Sequence, residues 1–413
     1  MEFDELSQSG IRRIANYSPY LDQLAGFANE MGLRQHSNLV QLERSLHSEW
    51  SLGQNSILSW TPLDDGILIL VVPHYAIAEY TAAPSNDPRL PQKVSARFIT
   101  ELISGDRQLT LTQMQKVARL LDVEPKFVAL RQPLSDHPVE TRIIEKMIRR
   151  YGINYVASRA VTLFDIVGFS LLTPFEQMTQ LNSLSYSLNS SHAKMLELDV
   201  GINFARSSSG DGFYIWNRDH GVEANVNLYH FMHLVLADNA IARSKSVAKA
   251  VPRLRACFHV GSCYEFHQAE GLNPTIHDFI VGDVTIELAR MIEAAMPGQI
   301  LVGDFMADLS GNLDENETQV NLDAITFLNR AQINLGKLSG LEISGERVTA
   351  IKCYLTGEQL DSGEFNIRKL NIRDKHGLTR TAYNAKINIY RDTAQPILLG
   401  IEDKNLSGAR APA

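Results

Sequence analysis

The stretch that most constrains this chain is Ala160-Val-Thr-Leu-Phe-Asp-Ile-Val-Gly-Phe-Ser170. It reads as a buried strand that runs into a glycine bend, and it carries Asp165 among apolar neighbours. An unpaired carboxylate there is costly, so Asp165 is expected to be paired, capped or bound to a metal. A helix should follow from about Pro174 to Leu196, then a strand over Gly201–Arg206. Ser207-Ser-Ser-Gly-Asp-Gly reads as a tight turn, and Phe213-Tyr-Ile-Trp as a third strand. Asp211 then falls at a hairpin turn with glycine on both sides.

Two carboxylates at adjacent strand ends suit oxygen-loving cations such as Mg²⁺ or Mn²⁺. Left alone ~4 Å apart, they repel by ~4 kcal/mol at an effective dielectric near 20. An Asp-Gly pair at a hairpin also serves simply as a turn former, so spacing alone leaves both readings open.

Composition narrows the rest. At 413 residues the chain has room for two to four domains, and its 44% apolar and 21% charged content is that of a folded protein. The net charge of −8 argues against a generally basic nucleic-acid binder. Three cysteines, Cys257, Cys263 and Cys353, are too few for a disulfide framework and lack zinc-site spacing. The longest strongly apolar run, Ile67 to Val72, is far short of the ~20 residues of a membrane span. The N-terminus is acidic and polar, unlike a signal peptide. A cytoplasmic protein with no membrane association is the expectation.

The first 60 or so residues read as helices, and Gly66–Pro73 as a buried strand closed by proline. Ala83–Pro91 reads as a loop. Ser95–Ile103 is amphipathic, Gly105-Asp-Arg-Gln makes a turn, and Thr110 caps a helix through Leu121. A further short helix is expected near Pro125. This run resembles the second half of a small antitoxin or repressor helix-turn-helix. Residues 1–150 carry 16 Lys and Arg against 18 Asp and Glu, which argues against DNA binding. A helical N-terminal module over residues 1–135 is expected, with a linker helix in 136–157 that either sets dimer geometry or acts as a spacer.

Five blocks, in order, carry a wider resemblance. Phe164-Asp-Ile-Val-Gly-Phe-Ser170 is followed 46 residues after Asp165 by Gly210-Asp-Gly-Phe-Tyr. Arg255-Ala-Cys-Phe-His-Val-Gly261, Val281-Gly-Asp-Val-Thr-Ile-Glu-Leu-Ala-Arg290 and Pro297-Gly-Gln-Ile-Leu-Val come next. Together they resemble the class III adenylate/guanylate cyclase catalytic domain over about residues 158–355.

The resemblance implies an α+β protein with a ferredoxin-like catalytic domain that works as a homodimer with composite sites. It implies two Mg²⁺ or Mn²⁺ ions and a nucleoside triphosphate converted to a 3′,5′-cyclic nucleotide and pyrophosphate. Carried over, Asp165, Asp211 and the backbone carbonyl of Ile166 are metal ligands. Phe164 to Gly168 approaches the phosphates, and Arg290 is the transition-state arginine supplied by the partner protomer. The base-reading positions fall on Ser207 and Phe279, with Asp278 or His277 as the substitute for the missing selector, and the late phosphate-binding lysine is nearest to Lys337. The ribose-positioning asparagine falls on Ile286, and both purine-reading signatures are absent. The resemblance therefore leaves three outcomes open. These are loose selection of ATP, preference for a pyrimidine as in phage-defence cyclases, or a silent nucleotide-sensing or transcription-regulatory protein.

His230 and His233, three apart on a helix, read as a core-edge pair, and His259 as a satisfied core histidine. Beyond Leu355 the period turns to two, over Phe365–Arg373, Leu378–Tyr390 and Pro396–Ile401. A small antiparallel β extension over residues 356–413 is the expectation, with Asp374–Gly377 a solvated turn.

Overall fold

A run such as Ile67-Leu-Ile-Leu-Val-Val is apolar at every position only where both faces of a strand are covered. In the computed structural model this is the case. The structure describes residues 33–81, 96–135, 138–247, 250–270, 273–313, 316–338, 340–359, 365–374 and 377–406. The loop expected at Ala83–Pro91 lies outside them. The chain is a mixed helix-and-sheet protein that divides into two compact units, Met1–Tyr155 with Tyr264–Phe279, and Val156–Cys263 with Ile280–Ala413.

In the first unit, helix α1 (Leu33–Trp50) leads into strands β1 (Asn55–Leu63) and β2 (Gly66–Pro73). Helices α2 (Ala76–Thr81), α3 (Ala96–Ser104) and α4 (Leu111–Leu121), strand β3 (Lys126–Ala129) and helix α5 (Pro138–Arg150) follow. Among the described residues the sheet order is β1-β2-β3, all antiparallel. Ile67, Ile69 and Val71 face a core shared with Leu42 and Trp50 of α1 and Ile144 and Met147 of α5. Leu70 and Val72 face Ile99 and Ile103 of α3 and Met114 and Leu121 of α4.

Three expectations change here. Residues 55–63 are strand rather than helix, and so is the stretch after Pro125. The helix-turn-helix reading loses its last helix. The α3–α4 turn also holds a buried side chain, since Arg107 is 0% exposed. Its guanidinium donates to the carbonyls of Leu58, Ile103 and Ile153 and to Asn154 Oδ1 at 2.7–3.0 Å. Thr110 does cap α4, in a reciprocal box with Gln113. Helix α5 buries Val139, Ile143, Ile144, Met147 and Ile148 in this unit's core.

The second unit is built on strand β4 (Asn154–Ile166), which begins in the first unit. Helix α6 (Pro174–Glu197), strands β5 (Phe204–Ser208) and β6 (Gly212–Asn217) and helix α7 (Gly221–Lys245) follow. The long pair β7 (Leu254–Glu270) and β8 (Asn273–Val281) leads to helix α8 (Asp283–Ala294). Strands β9 (Ile300–Gly303), β10 (Met306–Leu313) and β11 (Asn316–Asp323), helix α9 (Ala324–Asn334) and strands β12 (Glu342–Ile343) and β13 (Glu346–Leu355) come next. The chain ends with β14 (Gly357–Gln359), β15 (Phe365–Ile367), β16 (Lys369–Arg373), β17 (Thr379–Arg391) and β18 (Ile397–Leu399).

Among the described residues the main sheet runs β12-β13-β17-β9-β7-β4-β6-β5, with β16 and β18 also on β17. Strands β7 and β9 are parallel, and they are joined through β8 and α8, as a parallel pair requires a crossover. Ala160, Phe164 and Ile166 of β4 face the core with α6, α7 and α9. Val161 and Leu163 face the opposite core with α8. Strand alternation therefore assigns Asp165 to the α8 side of the sheet.

The C-terminal strands are not an appended sheet, because β17 lies inside the main sheet between β13 and β9. The Phe365–Arg373 stretch splits, with β15 pairing β14 and β16 pairing β17. His230 and His233 are fully buried rather than at a core edge, and neither ring nitrogen of His233 has a hydrogen-bond partner among the described residues. His259 Nδ1 is likewise without one. Cys257, Cys263 and Cys353 are free and buried. Among the described residues no helix is long and apolar enough to cross a membrane.

Candidate active site

The end of β4 and the turn before β6 form the site. Asp165 pairs with Gly212 in the β4–β6 ladder, and Ile166 N–H donates to the carbonyl of Asp211 at 3.0 Å. A Cβ on Gly212 would land on the carbonyl oxygen of Phe164. Glycine at this position therefore permits the close approach that brings the two aspartates together. The turn is closed by Ser209 N–H donating to Gly212 O and Gly210 N–H to Ser208 Oγ.

Asp165 is buried, at 5% exposure. Arg255, near the start of β7, donates from Nε to Asp165 Oδ2 at 2.5 Å and from Nη1 to the carbonyl of Ala295 at 2.9 Å. Burial raises the Asp165 pKa, Arg255 offsets part of that, and the neighbouring Asp211 raises it again. The net direction is upward. Burial and Asp211 also push up the phenol of Tyr214 on β6.

The donor set bears on the metal question. Among the described residues no three His, Cys, Asp or Glu side chains converge into a metal cluster. Two carboxylates are too few for a closed Ca²⁺ or Zn²⁺ cage. They fit Mg²⁺ or Mn²⁺, which commonly takes one or two carboxylates and completes its shell with water and substrate phosphates. Ile166 has no donor atom in its side chain, so only its backbone carbonyl qualifies as a further ligand.

The other expected residues sit as follows. The Phe164 side chain is 0% exposed in the core and cannot reach a phosphate, leaving only its backbone for that role. Gly168 is in the left-handed region (φ 72°) and opens the 3₁₀ turn Phe169–Leu171. Ser207 lies opposite Tyr214 on β5. Asp278 and Phe279 belong to the first unit, where Asp278 pairs with His267 at 2.8 Å and Phe279 stacks on Phe266. Lys337 pairs with Glu223 at 2.5 Å. Gly282 (φ 146°) starts α8, and a Cβ there would lie 2.7 Å from Cys263 Cα. That glycine fixes α8 and hence Arg290, whose Nη1 lies 3.4 Å from Glu293 and whose Nε lies 3.9 Å from Asp374. Ile286, one turn before Arg290, is half exposed.

Asp165, Ile166 and Asp211 are thus brought together, and Arg255 joins them unforeseen. Its signal was its place at the head of the Arg255–Gly261 block. Asp374, expected in a solvated turn, has a side chain only 1% exposed.

No family model matches the chain, and no curated protein does. Solved structures similar to it include the guanylate cyclase domain of RhGC from Catenaria anguillulae in complex with GTP. That match has 12% identity, covers 58% of this chain and 100% of that one, and has a TM-score of 0.33. The adenylyl cyclase CyaB from P. aeruginosa matches at 13% identity, 59% and 99% coverage and a TM-score of 0.30. Adenylate cyclases from Trypanosoma brucei match at 10% identity, 58% and 93% coverage and a TM-score of 0.30.

Proposed function

We propose that the chain is a nucleotidyl cyclase that converts a nucleoside triphosphate into a 3′,5′-cyclic nucleotide and pyrophosphate as a homodimer. The observation that carries this reading is the juxtaposition of Asp165, buried at the end of an apolar strand, with Asp211 on the adjoining turn, next to Asp165's ladder partner Gly212. Sequence blocks in cyclase order surround both residues.

In this reading Asp165, Asp211 and the Ile166 carbonyl would hold divalent ions, and such ions when bound would supply activation of the ribose 3′-hydroxyl and neutralisation of phosphate charge. Formal charges of −1, −1 and +1 on Asp165, Asp211 and Arg255 leave the trio with one negative charge. Arg255 is within reach of the carboxylates and is the local cation that a polyphosphate attracts. Arg290 of the partner subunit stabilises charge on the α-phosphate. The rate gain comes from positioning and preorganised charge. Base choice does not follow the usual purine signatures, because the base-reading positions are Ser207 and Phe279, and Ile286 offers the ribose no side-chain hydrogen bond.

A second reading has its own observation. Arg255 already occupies Asp165 Oδ2 at 2.5 Å, which favours a silent nucleotide sensor in which a resident cation stands where an ion would bind. One assay separates the two. Purified protein is incubated with Mn²⁺ and ATP, GTP, CTP or UTP, and cyclic product is sought by mass spectrometry. Product lost in Asp165→Ala and Asp211→Ala supports the enzyme. Nucleotide binding without product from any of the four supports the sensor.

A further inference from the structure

Helix α8 carries Glu287, Arg290 and Glu293 at intervals of three, so they share one face. The segment between β16 and β17 brings Asp374 against that face. The Asp374 side chain is 1% exposed, and its Oδ2 lies 3.9 Å from Arg290 Nε and 3.5 Å from Arg380 Nη2. Arg380 in turn pairs with Glu287. Asp374 is itself locked in place. Its Oδ1 accepts from Leu378 N–H at 3.0 Å, and its carbonyl accepts from Gly377 N–H at 2.9 Å. Glu293, the other partner of Arg290, is 51% exposed. An exposed i,i+3 pair restrains an arginine weakly, whereas a buried carboxylate oriented by a backbone donor attracts it through a less screened field, here as an ion pair beyond hydrogen-bond distance.

We propose that Asp374 is a positioning residue for Arg290. It holds the Nε edge of the guanidinium, while Nη1 lies toward the half-exposed Glu293, the edge left for an anion. Arg380 of β17, itself paired with Glu287 of α8, braces the same carboxylate. Asp374 thereby sets the reach of an arginine on a helix far away in sequence. The identity of the anion, a phosphate of the nucleotide, rests on the cyclase reading; the restraint itself does not.

Two readouts test this on the full-length protein. The first is modification of Arg290 by phenylglyoxal, followed by mass spectrometry. Asp374→Asn is expected to speed it about fivefold, and Glu293→Gln less than about twofold. The second is steady-state kinetics. Asp374→Asn is expected to lower kcat about tenfold with KM within about twofold, and to add nothing in an Arg290→Ala background. Unchanged reactivity of Arg290, an additive kcat effect or a raised kcat each overturns the proposal; a raised kcat would make Asp374 a latch instead. If Asp374→Asn does not fold, Asp374→Glu decides the point. It keeps the charge but displaces it by one methylene, so Arg290 must react faster than in the wild type. Absence of cyclic product from the wild type sinks the cyclase reading, and the Arg290 reactivity still decides the restraint.

Discussion

Arg255 and Asp165 face each other from β7 and β4, Nε to Oδ2 at 2.5 Å, with the aspartate side chain 6% exposed and the arginine 25%. The guanidinium offsets part of the cost of burying Asp165 beside Asp211, the part a divalent ion would play in the proposed site. The contact is compatible with either reading of the protein, and it makes the two experimentally separable.

Removing the arginine leaves Asp165 and Asp211 as uncompensated neighbours. Arg255→Ala is expected to cost about 3 kcal/mol of stability, the low end for a broken buried pair because the arginine is partly exposed. Millimolar Mn²⁺ should then raise the melting temperature of Arg255→Ala more than that of the wild type, since the ion takes over the vacated charge. Thermal unfolding with and without Mn²⁺ checks this. Equal gains in the two proteins would mean that the carboxylates do not form a cation site.

The two glycines beside Asp211 should respond differently. A Cβ at Gly212 collides with the carbonyl oxygen of Phe164, whereas one at Gly210 meets nothing within 4 Å. Gly210 has only its left-handed φ of 98° against substitution. Gly210→Ala is therefore expected to cost about 1 kcal/mol. Gly212→Ala is expected to cost about 3 kcal/mol or more, because the β4–β6 register must shift. Urea unfolding of the two variants gives the comparison, and equal costs would contradict the close approach of β6 to β4.

Acid should destabilise the second unit. Burial holds His230 and His259 down to about 4, and holds His233 well below its ordinary value. In the unfolded chain each histidine titrates near 6.5, so below that pH the unfolded state binds more protons. Stability is complete above pH 6.5 and falls on acidification until the folded values are reached. At pH 5 each of these histidines costs on the order of 2 kcal/mol. Unfolding free energy measured from pH 7.5 to 4.5 should drop steeply, and His233→Leu should flatten the curve. A flat wild-type profile would mean that these rings are not held neutral in the core.

Legibility from sequence followed the range of the interactions. Periodicity and capping are local, so α4, α6 and β2 were readable, down to the cap at Thr110. The site aspartates were readable because an acid in an apolar strand and an Asp between two glycines are unusual locally. What escaped was non-local. Nothing around Arg255 announces a partner 90 residues earlier in the chain. Asp374 looked like any charged turn because its burial comes from α8 and β17. The stretch after Pro125 was misread because proline opens helices and strands alike, and pairing with β2 decided the matter. The C-terminal strands were recognised, but period two does not say which sheet a strand joins.

Arg107 provides the last test, since it is the largest polar investment in the first unit. Its side chain is completely buried, and its backbone N–H donates to Glu145 Oε1 at 2.8 Å. Burial, with Arg149 nearby, lowers its pKa to about 9. The guanidinium fork ties the end of α3, the middle of β1 and the start of β4 through four acceptors within 3.0 Å. Arg107→Met removes the charge but strands those acceptors, and is expected to cost about 3 kcal/mol. Arg107→Lys should recover little, because one ammonium cannot span the fork and a buried lysine loses its proton more readily. Hydrogen exchange read peptide by peptide provides the check: protection should fall across residues 96–121 in both variants. Wild-type protection in Arg107→Met would show that the α3–α4 pair is held by its apolar face alone.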